Sequence, residues 1–156
     1  MDLESVKRLL ERGEEESQNA SIDAVSNKAK FFDPFIWEGI QFDVIEPGRL
    51  VCSLKVPLRL LNSGNFLHGG ATAMLVDIIG ATTLHTVGGQ TTGVSVEINV
   101  TYLDAAFADE EIEIEGKVLH VGKAIGIVSV ELRNKKTRKI IAQGRHTIFL
   151  TVPSKL

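Results

Sequence analysis

The apolar stretch at residues 70–85 constrains the fold more than any other part of this sequence. It has the length of a long helix and is apolar nearly all round, which is typical of a helix enclosed by the rest of its protein. The small residues that keep this helix slim are Ala71, Ala73, Gly80 and Ala81. Gly88 and Gly89 follow, and glycine commonly ends a helix. The sequence therefore predicts one buried central helix.

Strand patterns with a period of two lie on both sides of this helix. Before it, apolar and polar residues alternate from Ile40 to Val56 around a turn at Pro47 and Gly48. After it, alternation predicts four more strands, at residues 94–101, 111–118, 124–133 and 140–152. A hairpin, a central helix and a meander of about four strands predict a two-layer α+β fold, an antiparallel sheet curled round one helix. Because such a sheet leaves edge strands, an oligomer with paired edges is plausible.

The chain length of 156 residues suits a single domain with flanking segments. We expect residues 1–30 to form a peripheral helix and a polar linker, and residues 31–152 to form the folded domain. The aromatic residues at 31–37 could be core or a wall of an apolar ligand site. Residues 153–156 would be a tail that ends in Ser154, Lys155 and Leu156, which is the signal read by the peroxisomal import receptor. We therefore expect a peroxisomal protein, with the cytosol as the alternative.

Charge and composition argue against several kinds of partner. The net charge of −3 and the pI of about 5.8 disfavour nucleic-acid binding. No apolar stretch reaches the roughly 18 residues that a membrane span needs. Cys52 is the single cysteine, so it cannot form an intrachain disulfide, and its alternating strand context indicates a small core residue. The four histidines lack metal-ligand spacing, so we expect neither a metal nor another cofactor.

The segment FLHGGATAMLVD at residues 66–77 contains the candidate chemistry. Glycines at a helix start let a ligand approach backbone N–H groups that lack intrahelical partners, and that end of the helix favours an anion. Asp77 places a carboxylate in an apolar segment. Burying such a charge costs free energy unless hydrogen bonds or an opposite charge compensate it. Asp77 lies about two turns beyond Gly69, so one substrate touching both would need two ends of a groove or two subunits. His68, Asp77 and Ser95 contain the elements of a serine triad, but GVSVE is not a nucleophile elbow.

Three ordered blocks resemble the hotdog-fold acyl-CoA thioesterases. The blocks are NSGNFLHGGATAMLVD at residues 62–77, GVSVEINVTYL at residues 93–103 and AQGRHT at residues 142–147. Within that family the blocks most resemble the branch of thioesterase superfamily member 2 and acyl-CoA thioesterase 13, in its plant form. The resemblance extends over about residues 35–149 and implies a hotdog fold and hydrolysis of acyl-CoA, with fatty acyl groups of medium to long chain as the expected substrates.

The resemblance also implies roles for five residues. Asp77 matches the acidic residue that serves as general base for the attacking water or, in another account, as the nucleophile. Gly69 matches the glycine whose backbone N–H polarises the thioester carbonyl, with His68 supporting it. Asn62 matches an asparagine that holds the water or the thioester, and Ser95 matches the serine that orients the water and the acid. In this family the site lies between two subunits, and dimers pair into tetramers.

Basic residues at two predicted turns are candidates for binding the phosphates of coenzyme A. They are Lys123, Arg133, Lys135 and Lys136. Solvated turns are the alternative interpretation of the same residues. Two other functions stay open, an acyl-thioester hydratase or dehydratase on the same fold and a non-catalytic acyl-CoA-binding protein. The hydratase signature places an aspartate five residues before a histidine, whereas His68 precedes Asp77 here.

Overall fold

The central helix begins and ends close to the predicted positions. The structure is a computed structural model that describes residues 3–5, 7–8, 31–88 and 93–150. The long helix α2 spans Gly69–His85, after a short helix α1 at Phe32–Trp37 and a 3₁₀ turn at Leu58–Leu60. Beyond α2, Gly88 has a φ of 87°, a left-handed conformation that suits glycine at a helix end.

In the part of the chain that the structure describes, six antiparallel strands form one sheet around α2. Their bounds are β1 Ile40–Glu46, β2 Arg49–Lys55, β3 Gly93–Tyr102, β4 Glu111–Val121, β5 Ile125–Asn134 and β6 Ile140–Leu150. Their order across the sheet is β1-β2-β4-β5-β6-β3. This arrangement is the hotdog fold, and it confirms the predicted α+β class.

The expected meander holds for β4, β5 and β6 but not for β3. Instead of pairing with β4, β3 pairs with β6, along a register from Gly93 opposite Leu150 to Tyr102 opposite Ala142. The reason is that β4 already pairs with β2 on one side and with β5 on the other. Among the described strands, β6 has the unpaired edge at that end of the sheet, so β3 pairs with β6 and becomes an edge strand.

Glycines on the inner face of the sheet bring α2 close to three adjacent strands. A Cβ atom added at Gly144 of β6 would lie 2.7 Å from Val76 Cγ1, and one at Gly126 of β5 would lie 2.7 Å from Leu84 Cδ2. A Cβ at Gly116 of β4 would overlap the side chain of Thr83. We call Gly116, Gly126 and Gly144 the glycine trough. The predicted slim helix thus packs closely against a sheet that has glycines at the points of contact.

The core forms between α2 and the inward side chains of the sheet. Its fully buried members include Leu75 and Ile79 of α2 together with Leu54, Ile114 and Leu132 of the strands. Cys52 is buried in β2, as expected for a small core residue. The aromatic residues predicted as core or wall are mixed, since Phe35 and Trp37 are half-buried against the core whereas Phe31 and Phe32 are exposed.

The flanking predictions lie largely outside the described residues. The residues described near the N-terminus, 3–5 and 7–8, are helical, in line with part of the predicted peripheral helix. The predicted linker, Gly89 and the tail with Ser154, Lys155 and Leu156 are outside the described ranges. Among the described residues, no helix has the length and apolarity that a membrane crossing requires.

Candidate active site

Asp77 lies in the middle of α2 on the side that faces β3. Its neighbours Val76 and Ile79 are fully buried, yet the Asp77 side chain keeps 33% of its surface exposed. The carboxylate is therefore neither enclosed in the core nor on the open surface. It lines a groove between α2 and β3, where a small molecule has access to it.

Two side chains from the sheet hold the Asp77 carboxylate in place. Ser95 Oγ donates to Asp77 Oδ1 at 3.1 Å, and His146 Nε2 lies 3.3 Å from the same oxygen. His146 Nε2 is also 2.9 Å from Ser95 Oγ, so the three groups form a closed cluster. An irregularity in the pairing of β3 with β6, between Ser95 and Glu97, adjusts β3 where Ser95 reaches this cluster.

The geometry of this cluster differs from that of a serine triad. In a triad the histidine joins serine and aspartate through its two different ring nitrogens. Here His146 contacts both partners through Nε2 alone, so it cannot relay a proton from one side of the ring to the other. Ser95 and His146 both contact Oδ1 of Asp77, and no described residue hydrogen-bonds its Oδ2. The cluster therefore orients a carboxylate whose Oδ2 is open to a donor such as water.

His146 is the member of the site that the sequence analysis did not assign. It is only 1% exposed, and burial lowers the pKa of its imidazole, although the nearby Asp77 carboxylate acts in the opposite direction. A neutral His146 with its proton on Nε2 donates to this cluster, because an ionised carboxylate can only accept. The signal was visible in AQGRHT, where His146 falls on the same strand face as the buried Ala142 and Ile148.

The N-terminus of α2 is held by hydrogen bonds on both sides of His68. The His68 N–H donates to Leu60 O at 2.8 Å, and His68 O accepts from Thr72 N–H at 3.0 Å. The imidazole caps the helix, because His68 Nδ1 accepts from Gly70 N–H at 2.8 Å. Gly70 N–H is thus consumed by the cap. Gly69 N–H precedes it as the first N–H of the helix, for which no intrahelical partner exists.

The absence of a side chain has a different structural explanation at Gly69 than at Gly70. A Cβ at Gly70 would lie 3.0 Å from His68 Nδ1, so glycine there makes room for the cap. A Cβ at Gly69 would meet the Tyr102 ring at 3.5 Å, which is ordinary van der Waals contact. Packing within the described protein therefore does not demand glycine at position 69. An approaching ligand would benefit from it, since its absent side chain leaves the N–H accessible.

Asn62 anchors the turn that leads into α2. Its Oδ1 accepts from Gly64 N–H at 2.8 Å and from Phe66 N–H at 3.4 Å, and its own N–H donates to Phe66 O. The structure thus places Asn62 near the helix start rather than beside Asp77. Its amide nitrogen is the part of the side chain that this turn does not use.

The predicted phosphate-binding residues fall into two groups. Arg133 forms ion pairs with Glu115 and Glu131, and Lys135 pairs with Glu111 and reaches Ser53 Oγ. Glu111 is the main cause of the raised pKa of Lys135, which keeps this amine charged. The side chains of Lys123 and Lys136 are exposed at the hairpin turns. In a single subunit none of these four residues is among those that line the groove beside Asp77.

The groove beside Asp77 is apolar apart from the carboxylate and one hydroxyl. It has a volume of about 450 Å³ and is lined by Gly70, Met74, Asp77, Ile98, Val100 and Tyr102 among others. A larger depression of about 670 Å³ lies on the outer face of the sheet, but its walls are paired charges such as Glu115 and Arg133. Among the described residues no group of histidine, cysteine and acidic side chains could hold a metal ion. The groove is therefore the candidate site for an apolar ligand.

Comparisons with known proteins point to one family. The model of the thioesterase superfamily matches residues 64–141. Human acyl-coenzyme A thioesterase 13 is 46% identical over 104 residues, which are 67% of this chain and 74% of that protein. A putative esterase of Caenorhabditis elegans is 36% identical over 104 residues, 67% of this chain and 62% of that protein.

Solved structures agree with this match. Zebrafish thioesterase superfamily member 2 has a TM-score of 0.78 and 34% identity, covering 97% of this chain and 99% of that chain. A hypothetical thioesterase of Streptococcus pneumoniae, crystallised with coenzyme A, has a TM-score of 0.69 and 25% identity, covering 73% of this chain and 90% of that chain.

Proposed function

The chain belongs to the thioesterase superfamily, and from that premise we propose that it is an acyl-CoA thioesterase, which hydrolyses acyl-CoA to a free acid and coenzyme A. Membership makes the protein a thioester hydrolase. The proposal extends this to the acyl-CoA substrate, to the residues that carry out the reaction and to a site shared between subunits. The observation that carries it is the Asp77 carboxylate, oriented by Ser95 and His146 at the wall of an apolar groove.

Asp77 acts as the general base in this proposal. Its open Oδ2 accepts a proton from a water molecule while the water oxygen forms a bond to the thioester carbon. The carbonyl electron pair moves to oxygen, and the resulting negative charge is stabilised by the Gly69 N–H at the positive end of α2. When the carbonyl re-forms, the carbon–sulfur bond breaks, and coenzyme A leaves as a thiolate that takes up the proton. A positioned carboxylate base typically accelerates such a step by about 10²–10⁴-fold.

The spacing along α2 supports a site at a subunit interface. Gly69 and Asp77 are eight residues apart, so about 12 Å of helix separates them. That distance is too long for one water and one carbonyl to contact both. The edge strand β3 supports the same proposal, because its side chains are almost all exposed, including Val94 at 59% and Val96 at 61%. An antiparallel partner along β3 would cover these apolar groups and bring a second α2 alongside.

The lining of the groove supports fatty acyl groups of medium to long chain. The side chains of Met74, Ile98 and Val100 give the groove a hydrocarbon surface without strong hydrogen-bonding groups. Such a wall gains from burying methylene groups, each worth about 0.8 kcal/mol. Lys123 and Lys136, whose charged ends are exposed at turns, are the better candidates for the phosphates of coenzyme A, since Arg133 and Lys135 are paired within their own subunit.

The test is release of free thiol from acyl-CoAs of graded chain length. The Asp77→Asn variant keeps the size of the side chain and removes the base, so we expect kcat/KM to fall by about 10²–10⁴-fold. Asp109→Asn is the matched control, since Asp109 is an exposed carboxylate that pairs with Lys55 and does not line the groove, and the variant should retain full activity.

The same assay separates the alternative functions. A hydratase would convert an unsaturated acyl-CoA without releasing thiol, and a non-catalytic binding protein would bind acyl-CoA without turnover. Either of those results, or an Asp77→Asn variant with unchanged kcat/KM, would contradict the proposed reaction.

A further inference from the structure

Tyr102, at the end of β3, makes a hydrogen bond to the start of α2. Its Oη donates to Gly69 O at 3.0 Å, and its ring lies against Gly69. It is the only tyrosine in the chain. It also lines the groove beside Asp77, and it is 55% exposed. A side chain this exposed contributes little to the core, so its hydroxyl bond to the helix start calls for another explanation.

The hydrogen bond from Tyr102 falls on one particular peptide group. The carbonyl of Gly69 and the N–H of Gly70 belong to the same planar amide. Tyr102 Oη holds the oxygen of this amide, while His68 Nδ1 holds its N–H at 2.8 Å. Hydrogen bonds in such a chain polarise one another, so a donor on the carbonyl strengthens the bond from the N–H. The amide is therefore fixed on both sides, between the hydroxyl and the imidazole.

This chain of hydrogen bonds determines where His68 carries its proton. In the neutral imidazole one ring nitrogen is a donor and the other an acceptor. Because His68 Nδ1 accepts from Gly70 N–H, the proton is on Nε2. His68 is exposed, and its Nε2–H is thus a donor available outside the helix. The neighbouring Gly69 N–H belongs to the preceding amide, whose carbonyl is held by Thr72.

We propose that Tyr102 is a positioning residue for the carbonyl-polarising end of the site: through the Gly69–Gly70 amide it fixes His68 as an Nε2–H donor beside the Gly69 N–H. The substrate carbonyl then meets two aligned donors, one from the backbone and one from the imidazole. Because the Tyr102 ring is also part of the groove wall, the acyl chain and the carbonyl are positioned by the same side chain. This inference rests on the proposed thioesterase reaction.

The first test is the kinetics of Tyr102→Phe, which keeps the ring and removes the hydroxyl. We expect kcat to fall by about fivefold to tenfold, the range for one lost hydrogen bond, with KM changed by less than about twofold. Thr101→Val is the matched control, because Thr101 is the adjacent residue on the outer face of the sheet and also loses only a hydroxyl. It should leave both constants unchanged. A Tyr102→Phe variant with wild-type kcat, or with only KM altered, would overturn the proposal.

The second test measures polarisation of the bound substrate. In the Asp77→Asn background the thioester stays intact, and isotope-edited infrared spectroscopy with a ¹³C-labelled carbonyl reports its stretching frequency. We expect the frequency in Asp77→Asn/Tyr102→Phe to move towards that of free acyl-CoA, and the frequency in Asp77→Asn/Thr101→Val to stay at the Asp77→Asn value. Identical frequencies in all three proteins would contradict the proposal.

The third test does not depend on hydrolysis, so it separates this inference from the proposed function. Protein labelled with ¹³Cζ-tyrosine gives a single resonance, because Tyr102 is the only tyrosine. Removing the imidazole in His68→Ala should shift this resonance through the shared amide, whereas His120→Ala, at an exposed site on β4, should not. A resonance unchanged by His68→Ala would overturn the chain of hydrogen bonds. Absence of acyl-CoA hydrolysis by the wild-type protein would instead contradict the proposed function.

Discussion

The Asp77 carboxylate is held on one oxygen and open on the other. Ser95 and His146 both contact Oδ1, and they come from two different strands, so the carboxylate is oriented while no described residue hydrogen-bonds Oδ2. At the start of α2, a similar division separates Gly70 N–H, which bonds to the His68 cap, from Gly69 N–H, which is not used by the cap. In both places, one of two chemically similar groups holds the structure and its neighbour is left for a ligand.

The two glycines at the start of α2 should respond differently to alanine. Gly69→Ala should fold with an unchanged or slightly raised Tm, since its Cβ fits beside Tyr102 and alanine favours a helix by up to about 1 kcal/mol. Its methyl group should crowd the approach to the N–H, so we expect kcat/KM to fall by about 10²-fold, as for loss of an oxyanion donor. Gly70→Ala should lose about 1 kcal/mol of stability, because its Cβ disturbs the His68 cap. Thermal unfolding and thiol release check both, and equal Tm losses would contradict this distinction.

Burial of His146 should make stability depend on pH. Its pKa is lowered from the ordinary value of 6.5, chiefly by desolvation, so below pH 6.5 the unfolded chain takes up a proton that the folded protein does not. The stabilisation is complete above pH 6.5 and is lost as the pH falls through the folded pKa, by at most about 1.4 kcal/mol per pH unit. Urea unfolding between pH 7.5 and 5.5 should show this slope in wild type and in His120→Gln, but not in His146→Gln. The same slope in all three proteins would contradict the assignment.

At the scale of elements, the glycine trough sets the distance between α2 and the sheet. Three strands each present a glycine where the helix passes, and Gly80 on the helix does the same for His146, because a Cβ there would lie 2.8 Å from His146 Nδ1. The contact between helix and sheet is therefore made by backbone as much as by side chains. Close packing of this kind brings Ser95 and His146 within hydrogen-bonding distance of a helix residue.

The trough makes a specific prediction about packing. Gly144→Ala places a methyl group 2.7 Å from Val76 Cγ1 and should destabilise the protein by about 1–3 kcal/mol, the usual cost of overpacking. Adding Val76→Ala removes the atoms that collide, so the double variant should be more stable than the sum of the two single losses predicts. Chemical denaturation of the four proteins measures this coupling. Additive losses would mean that the helix does not rest on Gly144.

Elements and residues differ in how far the sequence could predict them. The positions of the central helix and of all six strands follow from local signals, because hydrophobic periodicity and the residues at helix ends are short-range properties. The roles expected for His68 and Gly69 came instead from the resemblance to a family. The pairing of β3 with β6 was not predicted, since it depends on which strand edges the rest of the sheet leaves open. His146 was missed for a similar reason. The strand alternation showed that its side chain points inward, but its contacts with Ser95 and Asp77 depend on two strands and a helix meeting in the fold.

At the scale of the whole molecule, the proposed interface divides each site between two chains. If Gly69 of one subunit and Asp77 of the other serve the same thioester, a symmetric dimer has two sites, each built from both chains. The exposed edge of β3 is the surface that such a dimer would cover. The helix then contributes its start to one site and its middle to the other.

Mixing two inactive variants tests this division. Gly69→Ala and Asp77→Asn subunits refolded together at equal amounts should form mixed dimers in which one site has both wild-type groups and the other has neither. With random pairing, about a quarter of the sites are intact, so about a quarter of wild-type activity should return. Each variant refolded alone is the control. A mixture no more active than the separate variants would show that both groups serve a site within one subunit.

The spacing of Gly69 and Asp77 along a single helix also has a consequence for inheritance. A cell with two alleles, one damaged at the codon for Gly69 and the other at the codon for Asp77, would make no sound copy of the chain. If the site is shared between subunits as proposed, the cell would nevertheless retain part of the enzyme's activity, because each mixed dimer would have one site with both groups intact. Two alleles damaged at the same codon could not form any intact site. Activity in the first kind of cell and not in the second would be genetic evidence for a shared site.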